Sequence, residues 1–160
     1  MDIAKRIQAL EDIEAIKRLK YDYLFFCDSK QPDKVLECFV PGPLHIDFGQ
    51  VGTFSRREEL VAVFTRLACH DFMVEMHHAQ NPRIDLLDDG NAAGTWGLYY
   101  HLIDTRQQTV TQLGACYRDE YRKLDGRWLI SASVCEVNST YTCELQENTA
   151  KVVFAGKAPR

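Results

Sequence analysis

Residues 110–138 read VTQLGACYRDEYRKLDGRWLISASVCEVN, two long segments hinged on Asp125-Gly126. Asp-Gly suits the left-handed positions of a tight hairpin turn. Val110 to Leu124 and Trp128 to Asn138 therefore read as two long antiparallel strands. A second turn signal, Asp88-Asp89-Gly90-Asn91, precedes Ala92 to Asp104, and the polar Thr105-Arg106-Gln107-Gln108 joins that segment to the hairpin. From about Val74 onward the chain thus reads as successive long strands.

Upstream of Val74 the period changes. Ile3, Ile7, Leu10, Ile13, Ile16, Leu19, Tyr23 and Phe26 recur at steps of three and four, which predicts one long helix with a single apolar stripe. It should stop near Asp28-Ser29-Lys30, because Pro32 disfavours helix at Gln31. A short helix fits Pro32 to Phe39, with proline tolerated in its first turn, and Pro41-Gly42-Pro43 ends it. Leu44, Ile46 and Phe48 alternate with polar or small residues as a strand would. Ser55-Arg56-Arg57-Glu58 has the form of a capping box, and Leu60, Val63, Phe64 and Leu67 supply the apolar face of a third helix. Helices followed by long antiparallel strands predict an α+β fold. A sheet so long must twist, and a helix laid across its concave side closes a cone whose open end is a pocket.

The 160 residues suffice for one core. With 46% hydrophobic and 26% charged residues, the composition is that of a soluble globular protein. The net charge of −4, with no basic cluster, argues against a nucleic-acid partner. No apolar run is long enough to span a bilayer, and Met1 to Arg6 lacks a signal-like apolar stretch, so the expected compartment is the cytoplasm. The six cysteines include no C-x-x-C pair and are expected as reduced core or pocket residues. No tight ligand spacing supports a metal site, His77 with His45 and Asp47 included, and no cofactor is expected.

Three segments together carry a family resemblance. They are Asp12-Ile13-Glu14-Ala15-Ile16-Lys17-Arg18-Leu19-Lys20 with the aromatic run ending in Asp28, then Met76-His77-His78-Ala79-Gln80-Asn81, then Gly114 to Tyr121 followed by Gly126-Arg127-Trp128. In order and spacing the chain resembles the SnoaL-like branch of the NTF2-like superfamily, which includes scytalone dehydratase, bile-acid 7α-dehydratase and lindane dehydrochlorinase. The resemblance implies a cone-shaped barrel with three N-terminal helices on a strongly curved, mostly antiparallel sheet. It implies catalytic roles for Asp28, at the end of the first helix, and His77, on the strand after the third. Tyr23, five residues before Asp28, matches a dehydratase tyrosine, where the dehydrochlorinase has lysine. Tyr100 and Val137 stand where the bile-acid enzyme has an acid and an arginine, which makes a CoA-linked bile acid a poor fit.

These residue types suit the chemistry by themselves. Histidine can take a proton from carbon beside an activating group. A carboxylate on its other nitrogen fixes the tautomer, and a tyrosine hydroxyl can hold or protonate a departing oxygen. Strand alternation turns only one of His77 and His78 inward. Tyr23 and Asp28 lie about 140° apart on an ideal helix, so they converge only if the chain bends at Asp28. Phe25, Phe26, Phe48, Phe64, Trp96, Leu98, Tyr100 and Cys135 are expected as pocket walls. The expected function is a cofactor-independent lyase of dehydratase type acting on an apolar ring compound. The alternatives are an isomerase or cyclase using the same dyad, or a non-catalytic ligand binder. Residues 1–145 are expected as the domain and 146–160 as a tail whose Val152-Val153-Phe154 docks on a neighbouring subunit, most simply in a trimer.

Overall fold

The structure, a computed structural model, describes residues 2–147, 149, 150 and 152. Its helices are α1 (Ile3–Asp28), α2 (Pro32–Glu37) and α3 (Arg57–Ala68). Its strands are β1 (His45–Asp47), β2 (Thr53–Phe54), β3 (Met73–Leu86), β4 (Asn91–Asp104), β5 (Thr109–Leu124) and β6 (Arg127–Glu144). They form one sheet in the order β2-β1-β6-β5-β4-β3, antiparallel throughout except where β1 runs parallel to β6. Among the described residues no helix is long and apolar enough to cross a membrane.

The β5–β6 turn follows its chemistry: Asp125 and Gly126 both take positive φ, 50° and 79°. The β3–β4 turn is made differently, by the Asp88 carboxylate accepting the backbone N–H of Gly90 and of Asn91. The pairing register slips between Gln80 and Arg83, at Gly114/Ala115 and at Glu120/Tyr121. Such bulges bend strands and increase twist, so the sheet curls around α1. β6 runs to Glu144, beyond the Asn138 expected, because its extension pairs with the first residues of β5.

Three sequence expectations are corrected. The apolar stripe of α1 is not buried along its whole length: Ile3, Ile7 and Leu10 are 69%, 51% and 65% exposed. The helix first meets the sheet at Asp12, whose Oδ1 accepts from Trp128 Nε1 at 2.9 Å and Lys123 Nζ at 2.7 Å, and its earlier turns overhang. The N-terminal box of α3 is displaced by one residue. Glu59, not Glu58, reaches back to the N–H groups of Ser55 and Arg56, because the helix begins at Arg57. Third, Phe25 lies 61% exposed on the outer side of α1 and is no pocket wall. Apart from Val152, the triplet expected to dock on a neighbour lies outside the described residues.

The core lies between α1, α2 and the concave sheet face. Ile16, Tyr23 and Leu24 pack there against Val35, Phe39, Ile46 and Ile130. At the narrow end α1 closes directly on the sheet. Toward the other end, helix and sheet diverge.

Candidate active site

The divergence leaves a cavity of about 330 Å³. Its walls come from one face of each surrounding element. On α1, Tyr23 and Cys27 are one turn apart; on α3, Leu60, Phe64 and Leu67 keep helical spacing; on β3, Met73, Glu75 and His77 alternate inward. Phe48, Leu98, Tyr100 and Cys135 line it as expected from sequence, together with Val137 and Tyr117.

Phe26 and Trp96 do not. Trp96 is two residues beyond Leu98, where α1 already touches the sheet. It is 1% exposed, donates from Nε1 to Tyr121 Oη at 2.8 Å and meets the Tyr21 ring edge-on. Phe26 lies one helical step from Cys27, about 100° around α1, and packs against Phe25 instead. His45 is exposed on the short strand β1. Among the described residues no three His, Cys, Asp or Glu side chains converge as a metal site.

His77 points inward and His78 is exposed. β3 is an edge strand, so part of its backbone lacks a strand partner. The end of α1 lies along that edge, and Asp28 uses both carboxylate oxygens on one residue there. Oδ1 lies 2.6 Å from His77 Nδ1, and Oδ2 accepts the His77 backbone N–H at 3.0 Å. An ionised carboxylate only accepts, so in the neutral ring the proton sits on Nδ1 and Nε2 is left bare. Asp28 is not itself a lining residue; it orients the histidine that is.

A second pair runs parallel to the first. Lys30 holds a left-handed conformation at φ 57°, its N–H bonded to Cys27 O and that of Gln31 to Phe26 O. This is the Schellman ending of a helix, with lysine where glycine is usual. It brings Lys30 Nζ onto Glu75 Oε2, while Tyr100 Oη donates to Glu75 Oε1 at 2.7 Å. Tyr100 stands opposite His77 in the register, ring centroids 4.6 Å apart. Burial, then the Glu75 carboxylate, pushes the Tyr100 hydroxyl well above the ordinary phenol range. Its proton is thus held by Glu75. Tyr23 is also raised, chiefly by burial, and among the described residues no carboxylate hydrogen-bonds its hydroxyl. Burial lifts the Cys135 thiol to about 11, so it stays protonated near neutrality.

Beneath the cavity lies a buried polar network. Lys20 Nζ is 2.8 Å from Asp119 Oδ2 and 3.5 Å from the Tyr117 ring centroid, and both charged side chains are fully buried. At that distance the pair is in ion contact, although the ammonium is not aligned for a directed hydrogen bond. Asp119 also accepts from Tyr121 Oη at 2.8 Å and Ser133 Oγ at 2.7 Å.

Sequence reasoning missed Lys20, Lys30, Glu75 and Tyr117. Alternation from His77 would have turned Glu75 inward, and alternation along β5 would have grouped Tyr117 with Asp119 and Tyr121. Lys20 stands four residues after Ile16 and three before Tyr23, a helical spacing that separates it from its half-exposed neighbour Lys17 and could have marked it as buried.

A SnoaL-like domain model matches residues 8–134. Among solved structures, a candidate scytalone dehydratase from Novosphingobium aromaticivorans superposes with a TM-score of 0.78 at 20% identity, over 96% of this chain and 99% of that one. A hexachlorocyclohexane dehydrochlorinase, LinA type 2, gives 0.80 at 18% identity over 94% and 97%. An NTF2-like protein with a cystatin-like fold, also from N. aromaticivorans, gives 0.71 at 15% identity over 85% and 88%.

Proposed function

The chain belongs to the SnoaL-like domain family, and from that premise we propose that it is a cofactor-independent lyase that removes water from an apolar ring compound. The observation that carries the reading is the double hold of Asp28 on His77, 2.6 Å to the ring and 3.0 Å to the backbone N–H. A protein that only binds a ligand has no use for a histidine fixed in one tautomer with its basic nitrogen toward the cavity. The candidate scytalone dehydratase and the dehydrochlorinase among the structural relatives are named for eliminations, which agrees with this reading.

In the proposed reaction His77 Nε2 takes a proton from the ring carbon beside an activating carbonyl. Asp28 favours the imidazolium that forms. The carbon–oxygen bond to the neighbouring hydroxyl then breaks as the double bond forms, and Tyr23 gives its proton so that water leaves. His77 returns a proton to Tyr23, so one C–H and one C–O bond are exchanged for one alkene and one water. Tyr23 is assigned this role over Tyr100 because the Tyr100 proton is engaged by Glu75. The apolar walls keep bulk water away and strengthen the charge interactions within.

Proton abstraction can be read before the natural substrate is known. Cyclic β-hydroxyketones incubated in D2O should exchange the proton next to the carbonyl and lose water, followed by NMR and mass spectrometry. His77→Gln should cut both by roughly 10²–10⁴-fold, the usual worth of a positioned base. Exchange without water loss would favour the isomerase alternative. Neither exchange nor water loss across a broad ring panel would favour a binder.

A further inference from the structure

Beside the cavity lies a second concavity of about 410 Å³, where the end of α3, the start of β3 and the β4–β5 turn meet. Leu67 and Met73 line both. Three cavity residues are half exposed, Val51, Leu67 and Val137, and they mark its mouth. The groove therefore opens at the mouth, on the Leu67 side.

Its chemistry differs from that of the cavity. Arg66, Arg106 and His70 all line the groove. The Arg106 guanidinium lies 3.9 Å from the Phe72 ring centroid, and the His70 ring stacks on the same phenylalanine at 4.8 Å and 8°. His70 Nε2 is 2.7 Å from the backbone oxygen of Arg66. These contacts hold the Arg106 guanidinium and the His70 ring against one aromatic side chain and restrict their motion. Among the described residues neither arginine forms an ion pair. The one carboxylate lining the groove, Asp104, is 5% exposed, and its Oδ1 accepts the backbone N–H groups of Arg106 and Gln107. Two unpaired guanidiniums at the mouth of an apolar cavity oppose the overall charge of −4.

We infer that the groove is an anion subsite, and that the substrate is an apolar ring bearing an arm that ends in a carboxylate, sulfonate or phosphate. This deepens the function proposed above and rests on the same cavity. Met73, which lines both concavities, stands four residues before His77 on one face of β3, which sets the near edge of the groove about 13 Å from the dyad at strand rise. A fused ring beside His77 with an arm of a few methylenes spans that distance. The arm would also fix which ring carbon meets Nε2, because an apolar cavity alone gives little orientation.

Two fluorescent probes differ only in the charged group: 1-pyrenebutyrate and its neutral counterpart 1-pyrenebutanol. The wild-type protein should bind the acid about 3–20-fold more tightly at low salt, the range for two solvent-facing charge contacts. Raising sodium chloride should shrink that advantage and leave pyrenebutanol unaffected. Arg66→Gln with Arg106→Gln should abolish it, and so should Arg66→Glu, which spares the Phe72 stack but cancels the charge of Arg106. Arg118→Gln, whose partner Glu136 lies elsewhere on β6, should keep it. Equal affinities in the wild type, an advantage that survives the double substitution, or no binding of either probe would overturn the inference. His77→Gln should keep the ratio of acid to alcohol affinity while cutting deuterium exchange of the β-hydroxyketones by roughly 10²–10⁴-fold. An advantage without exchange in the wild type would therefore sink the lyase reading and leave the anion subsite standing.

Discussion

Asp28→Asn tests the orientation of His77 more sharply than removal of the histidine does. Asp28 accepts two hydrogen bonds from one residue, and asparagine has one accepting oxygen to replace two. The His77 backbone N–H is a donor in every state, whereas Nδ1 can be donor or acceptor. The amide oxygen should therefore stay on the backbone N–H, and the amide NH2 should face Nδ1. That contact is satisfied only if Nδ1 accepts, so the ring proton moves to Nε2 and the base is lost. Turnover should fall roughly 10²–10⁴-fold, the scale attached to losing a positioned base or its correct tautomer. Stability should change much less. Hydrogen bonds to charged groups contribute about 1.5–3 kcal/mol each when intact, but asparagine keeps both contacts in neutral form and the two side chains are 17% and 22% exposed. A loss of about 1 kcal/mol is expected. The assay pairs turnover and urea unfolding with the long-range 15N spectrum of His77, which reports which ring nitrogen carries the proton. Turnover within threefold of wild type, or a ring still protonated at Nδ1 in the variant, would refute the reasoning.

Three further outcomes are expected. Tyr23→Phe should lower kcat by about 10-fold or more with KM little changed, and Tyr100→Phe should mostly alter KM; the reverse order would exchange their roles. Lys20→Met leaves Asp119 buried without its counter-charge and should cost about 3–5 kcal/mol in urea unfolding, while Asp119→Asn added to it should recover part of that. A single variant as stable as wild type would show that the pair anchors nothing. Burial raises the Asp12 carboxyl, but hydrogen bonds from Lys123 and Trp128 and the Lys123 charge outweigh it, so its folded pKa lies below the ordinary value. Its contribution is full above the unfolded pKa of about 3.9 and is lost as pH falls through the folded one. Asp12→Asn should therefore be less stable than wild type at pH 7, with the gap closing in acid; a gap independent of pH would count against the linkage.

Much of this protein was determined by local pattern. The three-and-four spacing through α1, the Asp125-Gly126 turn and the alternation of Leu44, Ile46 and Phe48 each act over a few residues, and backbone geometry makes such patterns legible without a tertiary partner. The meeting of Asp28 with His77 was expected from resemblance, since 49 positions separate them and no local period links them. What only the tertiary structure decided is which side chains face a cavity and which face solid core. Trp96, Leu98 and Tyr100 share one face of β4, yet α1 closes over the first and diverges from the other two. Lys20 shares a helical face with Ile16 and Tyr23, but what its buried charge pairs with was decided only when Asp119, about a hundred residues later in sequence, came to lie against it. Glu75 became an acceptor for Tyr100 only when two strands fixed their register and Lys30 turned left-handed at the end of a helix. Burial and charge pairing depend on what approaches from elsewhere in the chain, and a residue's own neighbours in sequence carry little of that information.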